Sequence, residues 1–269
     1  MSDPEILIVT SCIDPQRVYC LAISDRDERL RQSICSLVGW ILYTKVSTIV
    51  LCDGGLREYD FQGIADFARA HDKSFEALHV KPDPLTETLG KGYGEGLIMR
   101  HALTHSKHIK ESTNCYKITG RSFVANFDEI SAREAAHPLV FASKATPFFS
   151  FANLEYMVRK SFENARSHYS RRGILCFLLK PMALPTHFYK CSVSIYNKFL
   201  ADVSKKVVDS QGYWLEHAFY DRLRFRVRWN AFSIKPMIIG RSGSSGALYD
   251  GDYSEDVKNI AEGFVQRMR

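Results

Sequence analysis

At 269 residues the chain can form one large or two small domains around a substantial core. Its 45% apolar and 25% charged residues are those of a soluble globular protein, with no run of about eighteen apolar residues that could cross a bilayer. The net charge of +6 favours anionic partners such as nucleotides, lipid headgroups or nucleic acid, and is too mild to choose among them.

The chain opens on the acidic Met1-Ser2-Asp3-Pro4-Glu5, which lacks the basic start of a signal peptide, so a cytoplasmic location is expected. Glu5 to Ser11 is a short apolar run, read as a buried strand. Leu30, Ile34, Leu37, Val38, Ile41 and Leu42 fall at helical spacing, which predicts an amphipathic helix over 25–44. Val46 to Cys52 is a second strand, ending in Asp53-Gly54-Gly55; Phe61 to His71 is a helix and Phe75 to Val80 a third strand. This alternation indicates an α/β fold with a mostly parallel sheet, whose functional loops lie beyond the carboxyl ends of the strands. Farther on, Pro138 to Ser143 is apolar, Phe151 to about Tyr169 reads as helix and Ile174 to Leu179 as strand. Val193 to Val208 and Tyr213 to Leu223 read as helices, as does a final segment carrying Val257, Ile260, Ala261 and Phe264. No internal repeat and no interdomain linker stand out, so residues 1–269 are read as a single domain. The seven cysteines are scattered without a CxxC pair, signal neither zinc nor a redox centre, and mostly sit in apolar runs.

The stretch that organises the rest is Gly90-Lys91-Gly92-Tyr93-Gly94-Glu95-Gly96, followed by a helix to about Lys110 and by Tyr116-Lys117-Ile118-Thr119-Gly120-Arg121. Read as a glycine loop opening a helix, it would present bare amides to an anion, while a short strand delivers Lys117 and Arg121 to a tip. The competing reading is a tight connection, and no GxGxxG or GxxxxGK[ST] fingerprint fits. Asp53 could accept hydrogen bonds from a ribose or base, or could simply be a turn residue before two glycines. Glu95 in a first helical turn suits the helix dipole as well as it suits catalysis. Glu216 on a short helix is a candidate base, with His217 beside it; the alternative is a surface glutamate in a helical ion pair. His101, His105 and His108 form a stripe without an HExxH pattern and are read as a solvated face.

Arg222, Arg224, Arg226 and Arg228 alternate with Leu223, Phe225, Val227 and Trp229. As a strand this would put four arginines on one face, either solvated or offered to an anionic acceptor or membrane headgroups. Gly240 to Gly246 is polar and glycine-rich, a linker or a loop that closes over ligand.

In this order, the strand with Thr10-Ser11, the Asp53-Gly54-Gly55 turn, GKGYGEG and the segment Tyr116 to Ile130 (YKITGRSFVANFDEI) resemble small bacterial glycosyltransferases of surface-polysaccharide (O-antigen and capsule) synthesis, which have GT-A-like folds. The resemblance covers roughly residues 5–130 and, more weakly, Tyr213 to Leu223. It implies a Rossmann-like sheet, with 1–130 as the nucleotide-sugar half and 131–269 as the acceptor half and C-terminal extension. It implies a nucleotide-sugar donor, UDP-linked in preference to CMP-linked, and a glycan or lipid-linked glycan acceptor. Thr10, Ser11 and Asp53 would hold the nucleoside; Lys91, Gly92, Gly94, Glu95, Lys117, Thr119 and Arg121 would line the donor and its phosphates. Glu216 would be the base, with His217 as its neighbour or substitute, and Gly240 to Gly246 a mobile cover. Arg224, Arg226 and Arg228 would face the acceptor or an anionic surface, with peripheral contact at the inner membrane face and no nucleic acid.

One departure matters: where a DxD metal motif is expected the chain has Lys117-Ile118-Thr119-Gly120-Arg121. No acidic pair is available there for Mg²⁺ or Mn²⁺, so no cofactor is expected and two cations would neutralise the departing diphosphate. Asn126 and Asp128 just beyond leave a displaced metal ligand open. A nucleotidyltransferase, or a non-enzymatic binder of anionic membrane or nucleic acid, are the rival readings.

Overall fold

The computed structural model describes residues 5–18, 21–147, 182–243 and 245–269. The expected helix at 151–169, the strand at 174–179 and Arg171-Arg172 lie outside these residues.

Four parallel strands form the first part of the sheet: β1 (Ile6–Ser11), β2 (Thr48–Asp53), β3 (Ser74–His79) and β4 (Asn114–Thr119). β1 is flanked by β2 on one side and β4 on the other, so the strand order reverses direction beside it, leaving a crevice at the carboxyl ends. Beyond β4 lie β9 (Phe188–Ser192), antiparallel to both its neighbours, then β6 (Leu139–Phe141) and the two-residue β10 (Asn230–Ala231). The mostly parallel, helix-flanked sheet read from the sequence is present. Three short strands lie outside it: β5 (Ser122–Val124) pairs with β11 (Ile238–Gly240), and β7 (Thr146–Pro147) with β8 (Met182–Ala183).

Both faces of the sheet are covered, and alternate residues of β1 divide between two cores. Leu7 and Val9 enter one core, against α1 (Arg26–Tyr43), α2 (Gln62–Ala70), α5 (Phe127–Glu134) and the last helix, α7 (Glu255–Met268). Ile6 and Ile8 enter the other, against α4 (Lys91–His105), the helical turns of 193–206 and α6 (Leu215–Leu223). Burial on both faces is why β1 and β2 are nearly unbroken apolar runs. Helix starts are capped locally: the Asp25 carboxylate accepts from Glu28 N at 2.7 Å, and Ser254 Oγ from Val257 N at 3.4 Å.

Four expectations need correction. The glycine segment is not a loop before the helix; a short helix α3 (Leu85–Leu89) leads to Gly90, and α4 begins at Lys91, so Gly92, Gly94 and Gly96 lie inside it. Their smallness serves packing: a methyl at Gly96 would overlap the Ser204 side chain, and Gly90 takes a left-handed φ of 105° to turn the chain into α4. The amides at this helix start are not bare either, because Gly92 N donates to Asp209 Oδ2 at 3.2 Å. The protein's own carboxylate occupies the place proposed for a ligand anion. Second, α4 ends at His105 rather than Lys110, where Ser106 Oγ (2.6 Å) and Lys107 N (3.3 Å) turn to donate to the Glu76 carboxylate. Third, 193–208 is a chain of broken turns pressed against the glycine face of α4, not one helix. Fourth, 222–229 is not a strand. Leu223 ends α6 and the chain then turns outward, with Leu223 buried and Val227 and Trp229 half-buried in the second core.

Candidate active site

A cavity of about 250 Å³ opens at the carboxyl ends of β1 and β4. Its wall gathers Thr10, Ser11, Lys91, Gly94, Glu95, Thr119, Arg121 and Glu216 of the residues singled out above, together with Ser242 and Gly243 of the glycine-rich turn. That turn is tied by hydrogen bonds from Ser242 N to Ala247 O (2.8 Å) and from Gly246 N to Ser242 O (2.9 Å).

Lys117 does not reach a tip. It points from mid-β4 into the floor with 1% of its surface exposed. Its ammonium is ion-paired with Glu95 and donates to Thr186 O at 2.7 Å, above the Tyr189 ring. Thr186 also links the two acids of the cavity, since its Oγ1 donates to Glu216 Oε1 at 2.8 Å. Burial pushes the Glu216 carboxyl above the usual carboxylate range, and the charge of Glu95 adds to this. Glu216 also sits in the first turn of α6, where the dipole favours its anion. The neighbouring wall residue His187 is held neutral: burial first, then the charge of Lys117, lower its imidazole to about 4.

Arg121 follows the end of β4 and is only 5% exposed, yet among the described residues its Nη1 has no hydrogen-bond partner. Its backbone is fixed by Tyr253, whose hydroxyl donates to Arg121 O at 2.6 Å. Burial, and next the charge of Arg29, bring its guanidinium down to about 10. Arg29 itself lines the cavity from the first turn of α1, donating through Nε to Cys12 O (2.7 Å) and through Nη1 to Ile23 O (3.0 Å). The sequence reading missed Arg29. Its signal was there: a basic residue stands in the turn where the helix dipole prefers an acid. Thr186, His187 and Tyr249 were also missed, because their positions carry no local pattern.

The structure keeps other predicted residues out of the cavity wall. Asp53 is 2% exposed and its carboxylate accepts from Ile13 N (2.9 Å) and Gly55 N (3.0 Å), so it holds two loops together. His217 is buried against Trp214 and Tyr213, with Nδ1 3.3 Å from Trp214 N at the start of α6. Gly92 packs under α4, and Arg224, Arg226 and Arg228 lie at and beyond the far end of α6. His101 and His105 stack on each other at 4.0 Å on the outer side of α4.

Beyond the end of β4 stands the cation Arg121, and among the described residues no group of three His, Cys, Asp or Glu side chains could hold a metal. Asn126 and Asp128 are occupied elsewhere: the Asn126 amide bonds Met237 N (2.8 Å) and Lys235 O (3.1 Å), and Asp128 accepts from Lys45 N at 2.7 Å.

No family model and no curated protein matches this chain. Solved structures with a similar outline are glycosyltransferases. The galactosyltransferase LgtC, solved with donor and acceptor sugar analogs, has 10% identity and a TM-score of 0.43 over 80% of this chain and 69% of its own. Core-mannan synthase A (CmsA/Ktr4) from Aspergillus fumigatus, in a Mn/GDP form, has 10% identity and 0.43 over 97% and 83%. Mouse xyloside xylosyltransferase 1, apo form, has 8% and 0.39 over 81% and 80%. The chemistry of the cavity has to be argued from its own residues.

Proposed function

We propose that the chain is a glycosyltransferase. It moves a sugar from a nucleotide-sugar donor, UDP-linked, to a hydroxyl of a glycan or lipid-linked glycan acceptor in surface-polysaccharide synthesis. The observation that carries the reading is the buried Arg121 guanidinium, whose Nη1 has no hydrogen-bond partner among the described residues, beside Arg29 in the cavity at the β1–β4 crevice. A buried donor without an acceptor costs about 1–3 kcal/mol, more when charged, and a bound anion removes that cost. A sugar diphosphate supplies both the anion and a leaving group.

In this reading the acceptor hydroxyl loses its proton to Glu216, its oxygen bonds the anomeric carbon, and the bond from that carbon to the phosphate oxygen breaks. The electron pair goes to the diphosphate, where Arg121 and Arg29 meet the growing charge in a site of low dielectric. No divalent ion is assigned a step. Glu95, ion-paired with Lys117, places its carboxylate where the sugar ring becomes positive. Thr186 sets Glu216 and Lys117 in register through one residue.

Turnover tests this directly: release of UDP from a panel of UDP-sugars, measured in EDTA and with Mn²⁺. Glu216→Gln is expected to slow release by about 10²–10⁴-fold, the usual worth of a positioned base. Consumption of a nucleoside triphosphate with Mg²⁺, and none of any nucleotide sugar, would instead identify a nucleotidyltransferase.

A further inference from the structure

The outward turn that follows α6 is unexplained by the cavity. α6 is about 13 Å long, starts at the cavity wall with Glu216, and ends in Arg222-Leu223-Arg224-Phe225-Arg226. Leu223, Val227 and Trp229 anchor the turn in the core. Between these anchors Phe225 stands 84% exposed, the most exposed large apolar side chain among the described residues. Arg224, Arg226 and Arg228, near it in the chain, are exposed too, with the Arg224 guanidinium 4.8 Å from the Phe225 ring centre. Opposing acid is sparse: Asp221 reaches Arg224 at 3.9 Å, and no ion pair is formed by Arg226 or Arg228 among the described residues.

Cations at a helix C-terminus stabilise the helix, which accounts for Arg222 and Arg224. Arg226 caps the same end, its Nη1 donating to Arg222 O at 3.1 Å, which leaves Arg228 and a phenylalanine held out into solvent to be explained. An exposed aromatic ring with one guanidinium against it and further arginines on the same turn matches a bilayer interface, where the ring enters the acyl boundary and the cations remain at the phosphates. We propose that this turn docks the protein on anionic lipid, setting the mouth of the cavity roughly one short helix away from the headgroups. A nucleic acid would use the same charges but calls for a continuous groove along which phosphates run, whereas these arginines fall within one short turn after α6.

The test is co-sedimentation of the full chain with vesicles of phosphatidylcholine alone and of phosphatidylcholine containing phosphatidylglycerol. Binding is expected only to the anionic vesicles and should fall with added salt. Each surface arginine contributes about fivefold near an anionic leaflet, so Arg226→Gln with Arg228→Gln should weaken binding roughly 25-fold. Phe225→Ser should weaken it several-fold with an unchanged unfolding midpoint, since the side chain touches little. Phe225→Trp should show a blue-shifted emission component on anionic vesicles that is absent on neutral ones. No binding to anionic vesicles, equal binding by the variants, or retention by single-stranded RNA in place of vesicles would each overturn the proposal.

Discussion

Lys117 and Arg121 are four residues apart and both almost fully buried, Arg121 in the cavity wall and Lys117 behind it, yet they differ in what surrounds them. Lys117 has Glu95, Thr186 O and the face of Tyr189. Arg121 has an Nη1 that meets nothing and a second cation, Arg29, close enough to depress its pKa. A cation whose partners are all supplied by the fold belongs to the fold. A cation buried without them is maintained for something the chain does not contain. The floor is built to hold its own charge, and the rim to receive one.

The comparison can be broken most forcefully at the floor. Lys117→Met leaves Glu95 without its partner at a half-buried position and should lower stability by about 3 kcal/mol, the lower end for breaking a buried pair. In a domain of this size that is roughly 6–12 °C of midpoint, read by thermal unfolding.

Asp209 is the next largest effect, as an internal carboxylate standing where a ligand anion was expected. Burial raises it from 3.8 to about 6, so the folded chain binds more protons than the unfolded one between those values. Its contribution to stability therefore rises as pH falls through 6 toward 4, by roughly 2–3 kcal/mol. The difference between the native chain and Asp209→Asn across that window isolates it; a difference of opposite sign would place the carboxylate in a stabilising ion pair.

Gly96→Ala should cost about 1–2 kcal/mol, because overpacking against Ser204 outweighs the helix propensity gained. A neutral result would show that the helical turns at 203–206 can move off α4.

The smallest effect sharpens the contrast most. Arg121→Met should leave stability unchanged or raise it by about 1 kcal/mol, since it removes a buried charge with an unmet donor. Lys117→Met and Arg121→Met thus move the midpoint in different directions although both delete a buried cation.

Much of this was legible in the sequence, for physical reasons. Strands buried on both faces, such as Ile6–Ser11 and Thr48–Asp53, announce themselves as apolar runs. Helices packed on one side, such as Glu255–Met268, show their period. Thr10, Ser11, Glu95, Arg121 and Glu216 were found because strand ends and helix starts have recognisable neighbours. The alternating arginines misled because a period of two also fits a helix end followed by an outward turn in which Leu223, Val227 and Trp229 point inward and Phe225 does not. The glycines misled because Gly92 and Gly96 answer to Val207, Asp209 and Ser204, more than a hundred residues away. Arg29 and Thr186 became site residues only when the sheet brought β1, β4 and the segment before β9 together.

The most direct measurement is the thermal midpoint of the native chain and of Arg121→Met, each with UDP, CMP, GDP and ADP in EDTA and then with Mn²⁺. Ligand at a hundred times its Kd adds about 2.7 kcal/mol of stability. The account predicts a rise of several degrees with UDP in EDTA and its loss in Arg121→Met, whose own midpoint is not lowered. A rise that needs Mn²⁺ and survives Arg121→Met would contradict the claim that the unpartnered guanidinium receives the diphosphate.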